Sequence, residues 1–587
     1  MRPKRMLMDY IRSKWYVYGF SIALIAAGNA IQSYYPRLLG SFTNRLEQGR
    51  LTHDAIVDYS LRLLAVGIAF GVLAGAGQYV IMRLGRLYEF DMRKRLFAHF
   101  TTLSERFYSK NGVGKLLSYV MNDVTAVRES ISMGINQTTN ATILILSSMV
   151  MMTLSDIPLR LVLVCVLPLL FIPWIVTRFG PVIRKRSLTV QDSLGKMTES
   201  AEEQFGGIRV TKKFAAEEIM NRRFGENVDR IRDNQLRLVR VSSLFQAIIP
   251  FLGALSMIVT IAYGGYLTLR HTISLGNFVE LTLYIRMMAA PLQQIGNVIN
   301  TMQRSRASLE RIGDLMAVEP DIRETAGAKP LSLKQAAIRI RHLSFAYPDS
   351  EREALHDIHL DIAPGCTLGI LGKTGSGKTT LVKLLLRVYE APAGTIRIGG
   401  TDIRELTLES LRDQIAYVPQ EGFLFSTTIR DNIAFFNRKS ELDKVKRAAK
   451  QAQIYASIAE LPDSFDTRLG ERGVTLSGGQ RQRTGLARGL IKDAPILIMD
   501  DSVSAVDAVT EKRIIEGVRR ARSGKTTILI AHRISALKHA DEIVVLDEGR
   551  IVQRGTHAEL LARAGLYATL HAIQEEGDRD DEDQAVL

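Results

Sequence analysis

Six apolar stretches occupy the first half of this chain, near residues 15–38, 61–83, 132–154, 157–178, 242–268 and 276–300. Each is about as long as the ~20 residues a helix needs to cross a bilayer. A chain with such segments is predicted to fold as a bundle of spanning helices. The first, beginning WYVYGFSIALIAAG, is too long for a secretory signal and lacks its cleavage site. Only LSDIP separates the third from the fourth, which predicts a tight hairpin.

Basic residues orient the set, since cytoplasmic flanks carry the excess of Lys and Arg. Arg2, Lys4, Arg5, Arg12 and Lys14 precede the first segment. Arg83, Arg86, Arg93, Lys94 and Arg95 follow the second, and Arg178, Arg184, Lys185 and Arg186 follow the fourth. These regions are expected in the cytoplasm, and an even number of crossings puts both termini there. The formal net charge is +15, yet the mean hydropathy is +0.05. Topology accounts for much of that positive charge, so nucleic acid is not expected as a partner. With 587 residues the chain exceeds a single core. Its two cysteines, Cys165 and Cys366, suggest small buried side chains rather than a disulfide framework.

Between spans lie two long polar stretches, 84–130 and 179–241, rich in helix formers. The apolar spacing of Leu194, Met197, Ala201 and Phe205 fits continued helices that protrude below the membrane. Each stretch contains a turn, YSKNGVGKLLSYVMND (108–123) and EQFGGIRVTKKFAAEE (203–218), against which something soluble is expected to sit. The sixth span carries Glu280, Arg286 and Asn297 beside Met287. Charges at such depth face a bundle interior or a wet cavity. Two readings stay open here: a substrate path, or an internal Glu280–Arg286 pair.

Beyond residue 334 the pattern changes. Runs such as TLGIL, QIAYVP, PILIMD, TTILIAH and EIVVLDEG alternate with helical stretches, which predicts a mainly parallel sheet in an α/β domain. GKTGSGKTT (372–380) follows one such strand and opens a helix, the context a phosphate-binding loop requires. Gly372, Thr374, Gly375, Ser376, Gly377 and Thr380 build the loop whose backbone N–H groups wrap phosphates at a helix N-terminus. Lys378 reaches the β- and γ-phosphates of ATP, and the Thr379 hydroxyl meets Mg²⁺. Asp500, ending ILIMD, is the acid that holds the metal directly or through water. LSGGQRQR (476–483) offers a second cradle in Ser477, Gly478, Gly479 and Gln480. One nucleotide does not need two cradles from one chain, so two such domains are expected head to tail, each presenting Ser477–Gln480 to the other's ATP.

On these motifs, and over nearly its whole length, the sequence resembles the ABC transporter family, specifically exporters with a six-helix membrane domain fused to one nucleotide-binding domain. The resemblance implies ATP and Mg²⁺ as cofactors and further roles at matching positions. Tyr347 would stack on adenine, Gln420 would sense Mg²⁺ and the membrane domain, and His532 would act as the γ-phosphate switch. His532 also stands just after a strand, where ligands bind in open α/β sheets. Glu471 would lie on a loop facing the intracellular turns, and SVSAVD, ending at Asp507, would cross the dimer. The expected organisation is a membrane domain at 1–317, a linker at 318–334, a nucleotide domain at 335–574 and an acidic disordered tail at 575–587.

The departure lies at Asp501, where the family carries the Glu that acts as general base or water-positioner. Aspartate is one methylene shorter, and a misplacement of about 1 Å can cost on the order of 10²-fold in rate. A complete signature beside a weakened base resembles the degenerate-site subunit of heterodimeric bacterial multidrug exporters. The expected partner is a second half-transporter carrying the Glu, and the expected cargo an amphipathic drug-like molecule or lipid. The fused architecture, short outer loops and lack of a targeting peptide imply a bacterial inner membrane. A homodimeric drug or lipid flippase, an ATP-gated channel or regulator, and a soluble DNA-repair ATPase are the competing readings. The six spans disfavour the last, and fusion of the two domains in one chain disfavours an importer.

Overall fold

The computed structural model describes the chain except residues 1–2, 333–336, 471, 472, 474, 475, 586 and 587, and the helical side chains of residues 3–5, 293, 295–297, 300 and 577–585. It divides into two compact units, Met1–Glu319 and Pro320–Leu587.

Helices α1 (Trp15–Gln32) and α2 (Tyr35–Glu47) make the first pass of the first unit, and α3 (His53–Phe100) the second. The first expected span is thus broken at Ser33–Tyr34, because Pro36 stands in the opening turn of α2, where its missing N–H costs nothing. The third pass runs from Val113 through two π-helical turns, Tyr119–Asp123 and Ser130–Gly134, into α4 (Ile135–Leu154). Helix α5 (Leu159–Gly206) and helix α6 (Glu217–Val259, prolonged to Leu269) follow, and α7 (Leu275–Ala317) ends the unit. At 48 residues each, α3 and α5 are about 70 Å long, over twice the hydrocarbon thickness.

His53–Phe100, Leu159–Gly206 and Glu217–Leu269 are long and apolar enough to cross a membrane by length and composition. Polar residues dilute the other three passes: Asn29 and Gln32 in α1, Asn136, Gln137 and Asn140 in α4, and Glu280 and Arg286 in α7. Leu61, Leu64, Ile68 and Val72 of α3 are each largely exposed, as expected of side chains facing lipid. Small residues let helices approach closely on the other side. A Cβ on Gly77 of α3 would stand 2.7 Å from Ile25 of α1. Farther along α3, buried Glu89 accepts ion pairs from Arg86 (2.9 Å), Arg93 (2.7 Å) and Arg128 (3.3 Å), joining α3 to the third pass. Asp123 likewise binds Ser308 (2.8 Å) and Arg311 of α7.

The second unit has two sheets. An antiparallel one orders β2 (Glu353–Ile362), β1 (Ile338–Ala346), β4 (Ile396–Ile398) and β5 (Thr401–Asp402). The larger runs β10 (Arg550–Gly555), β9 (Glu542–Asp547), β3 (Thr367–Gly372), β8 (Thr526–Ile530), β7 (Ile496–Asp500) and β6 (Ile415–Val418). All but β10 are parallel. Both faces are covered, and β7 and β8 are buried at every residue, as continuous apolar runs in a parallel sheet require. Buried Arg387 donates to the carbonyls of Arg323, Ile403 and Leu406, so the segment after the unit boundary is fastened to the sheet rather than loose. Where an irregular tail was expected from 575, the backbone of the last helix continues from Leu566 to Ala585.

Candidate functional site

Four neighbouring strands deliver the predicted residues. The order β3-β8-β7-β6 is consecutive, and pairings such as Ile370↔Ile530, Asp500↔Ile530 and Val418↔Met499 level their C-terminal ends. From those ends issue the 372–380 loop, His532, Asp500–Asp501 and Gln420, on the edge where open α/β sheets hold ligands.

The 372–380 loop turns through Gly375 (φ 85°) and Gly377 (φ 99°), conformations that glycine adopts without a Cβ penalty. It then opens helix α8 (Lys378–Leu385). The buried Lys378 ammonium folds onto the carbonyls of Gly372 and Lys373, both at 2.8 Å. The loop fits a polyphosphate. Ser376 Oγ is buried with no hydrogen-bond partner among the described residues, and a Cβ on Gly375 would meet nothing within 4 Å. Tyr347 anchors to Thr380 Oγ1 at 2.9 Å and packs edge-on to Phe345 and Tyr389. Tyr389, unmarked by any motif, completes that aromatic cluster.

The two acids occupy different surroundings. Asp500 is buried, hydrogen-bonds Thr379, and receives the Tyr417 hydroxyl at 3.5 Å. Burial pushes its carboxyl above the usual range, and the neighbouring Asp501 charge adds to this. Burial lowers Lys378, against the pull of Asp500 and Asp501. The donor set of one hydroxyl and a carboxylate suits Mg²⁺, a hard oxygen-seeking cation. Asp501 has a left-handed backbone (φ 48°), a conformation Asp tolerates better than most residues. Its N–H donates to Ile530 O at 2.9 Å, and Gln420 Nε2 donates to its Oδ2 at 3.2 Å.

Because burial disfavours the Asp500 carboxylate, Asp500→Asn should raise the melting temperature of the nucleotide-free protein by about 1–3 °C. The sign follows from the raised pKa. The charged form costs stability above that pKa, and the cost fades as pH falls through it, so the gain should vanish in acid. Thermal melts with and without MgATP at two pH values check this, and stabilisation by MgATP should be lost in the variant.

Ser477 caps helix α9 (Gly478–Ile491) in a reciprocal capping box with Gln480. Helix α9 therefore begins with N–H groups unclaimed by the backbone, the feature that makes an anion site. Gln482 was not foreseen. Its amide donates to Asp501 O (3.0 Å) and accepts from Ala505 N (2.9 Å), stitching the signature helix to the segment that follows the two acids. Asp507 caps helix α10 (Ala508–Ala521) by accepting from Thr510 N at 2.8 Å. Half-buried His532 follows β8. Glu471 lies outside the described residues.

In the membrane unit the Glu280–Arg286 pair is not formed. Buried Glu280 accepts from Ser155 Oγ and hydrogen-bonds Tyr284, whose hydroxyl also reaches Ser33 O at 2.8 Å. Arg286, six residues on, lies on another face of α7 and is exposed, and Met287 is half-buried. Asn297 lies on α7, with its side chain outside the described residues. The two predicted turns, 108–123 and 203–218, contain short helices: Val113–Ser118, preceded by Glu105–Lys110, in the first, and Ile208–Lys213 in the second. Phe205 and Phe214, flanking the latter, are 76% and 78% exposed.

Comparison with known proteins agrees with this geometry. The profile of the ABC transporter transmembrane region matches residues 18–292, and the ABC transporter profile matches residues 355–504. The chain is 35% identical to the Probable multidrug resistance ABC transporter ATP-binding/permease protein YheI of Bacillus subtilis, over 96% of each chain. It is 34% identical to the ATP-dependent lipid A-core flippase of Methylococcus capsulatus, over 97% of this chain and 94% of that one. A solved bacterial Atm1-family ABC exporter with ATP bound superposes with a TM-score of 0.80 at 27% identity, covering 94% of this chain and 98% of that one.

Proposed function

The chain belongs to the ABC transporter family, as a multi-pass membrane protein fused to an ATP-hydrolysing domain, and from that premise we propose that it exports amphipathic small molecules as one half of a heterodimer. The observation that carries the reading is the pairing of a complete Ser477–Gln480 cradle with Asp501 where the family has Glu. Such a chain is a full contributor to its partner's ATP site and a poor one to its own. The membrane is the bacterial cytoplasmic membrane, with both termini inside.

At the chain's own site the 372–380 backbone and Lys378 bind the β- and γ-phosphates, and Tyr347 carries the adenine. Thr379, Asp500 and Gln420 would hold Mg²⁺, which neutralises phosphate charge when bound. Asp501 orients the attacking water through a carboxylate set too far back, and His532 contacts the γ-phosphate. Ser477, Gly478, Gly479 and Gln480 complete the partner's site. ATP closes the two nucleotide domains, the turns at 108–123 and 203–218 transmit closure, and the spanning helices change their open side. Glu280, Arg286, Met287 and Asn297 are the candidates for the transport path. A homodimeric lipid flippase is the second reading, favoured by the lipid A-core flippases that match at similar identity.

Inverted vesicles containing the chain and its Glu-bearing partner should accumulate a fluorescent bisbenzimide dye on addition of ATP, and Lys378→Ala should reduce uptake. Flipping of a labelled lipid without dye uptake would select the second reading. Hydrolysis with neither movement would leave a regulator.

A further inference from the structure

The loop that carries His532 has no regular structure of its own between β8 and the short helix Ile534–Leu537. Two side chains from distant elements hold it. Gln574, on the last helix α11 (Leu566–Ala585), donates through Nε2 to His532 O at 2.7 Å and accepts at Oε1 from Ile534 N at 2.8 Å. Glu511 on α10, 2% exposed, binds Arg533 Nη1 at 3.2 Å and Ser535 Oγ at 2.9 Å. Residues 532 to 535 are thus pinned in alternation by one carboxamide and one carboxylate. The carbonyl on one side and the N–H on the other also fix which way the amide of Gln574 points.

We infer that Gln574 is a positioning residue for His532, so that the C-terminal helix sets the rate of hydrolysis through the backbone of the switch loop. The inference rests on the reading of His532 as the γ-phosphate contact. A carboxamide can donate and accept at once, whereas a carboxylate keeps only the acceptor. Tilting one peptide at His532 moves its imidazole without touching the nucleotide-binding loop, so the effect falls on turnover rather than on affinity. The clamp is also separable from docking of α11. Seven residues earlier, buried Tyr567 anchors that helix by its hydroxyl to His557 Nδ1 (2.7 Å) and by its N–H to Gln553 Oε1 (2.8 Å).

Two measurements on the full-length chain test this. In wild type, Gln574→Ala should speed amide exchange at Ile534 by about tenfold, through loss of one hydrogen bond. Unchanged exchange overturns the clamp. In an Asp501→Glu background, Gln574→Ala and Gln574→Glu should each lower kcat about 5- to 20-fold, with KM for ATP within about twofold. Failure of Gln574→Glu to rescue, although it keeps the acceptor, assigns the effect to the bond with His532 O. His532→Ala in the same background separates the two claims. If it abolishes turnover while Gln574→Ala leaves kcat intact, positioning is wrong. If His532→Ala is itself harmless, the switch reading falls, and Ile534 exchange then reports the clamp as a purely structural contact.

Discussion

Asp501→Glu is expected to raise steady-state ATP hydrolysis by the purified chain on the order of 10²-fold. The reason is that the backbone at this position cannot move to compensate for a short side chain. The Asp501 N–H is bound to β8 through Ile530 O (2.9 Å). Its carbonyl accepts from Gln482 Nε2 and Ser504 Oγ, both at 3.0 Å. With both sides of the residue fixed, the reach of the carboxylate is set by chain length alone, and one C–C bond is about 1.5 Å. ATP affinity should be unchanged, because Lys378, Thr379 and Asp500 act independently of that methylene. Side-by-side ATPase assays with a nucleotide-binding control decide it. Vigorous hydrolysis by the wild type would overturn the slow-site reading and make a homodimer the better description. Silence of both proteins would point to a dimer that forms only with the partner chain.

The parts of this site that could be read from the sequence are those where chemistry dictates local residue order. A loop that wraps phosphate needs glycines at left-handed positions, and Gly375 and Gly377 occupy them. A carboxylate at the end of a buried strand needs an apolar run before it, which ILIMD supplies. Residues acting through distant partners leave no such trace. Gln482 looks like one more polar residue on a signature helix, and its link to Asp501 and Ala505 exists only once α9 packs against β6, the neighbour of β7. Gln574 stands in the sequence as a polar residue at the edge of the acidic tail, with no motif around it, and only the fold brings it to residues 532 and 534.

The membrane half shows the same division. Apolar runs marked the spans, but the π-helical turns at 119–123, 130–134 and 260–264 each alter the helical phase with no proline to announce it, so periodicity cannot place the faces beyond them. The break after Ser33 did have a signal. Pro36 is the residue expected just inside a helix start, and a reading by hydropathy alone passes over it. Glu280 showed its importance by its cost in hydrocarbon, but its partners, Ser155 and Tyr284, come from a hairpin turn and from one helical turn away. Arg286 lies at a spacing that a helix cannot bring face to face with it.

The second large effect tests the asymmetry itself. If the proposed heterodimer holds, Gly478→Asp in this chain should lower ATPase activity of the pair by about 10³-fold, whereas Asp501→Asn should lower it by less than about threefold, having little catalysis to remove. Gly478 is the right position because a Cβ there would meet nothing within 4 Å, so the new side chain fits without disturbing the chain that carries it. At Gly479 a Cβ would stand 2.8 Å from Ala505 O, and a loss of activity there would be confounded with distortion of the loop. An acid in the first turn of α9 even favours that helix. The damage therefore comes from a negative charge facing the partner's phosphates, where the cradle should offer N–H groups. Dependence on Gly478 without dependence on Asp501 means that this chain catalyses at a site it does not itself bind. Equal losses from both substitutions would mean two equivalent sites, each using Asp501, and the heterodimer would have to be given up.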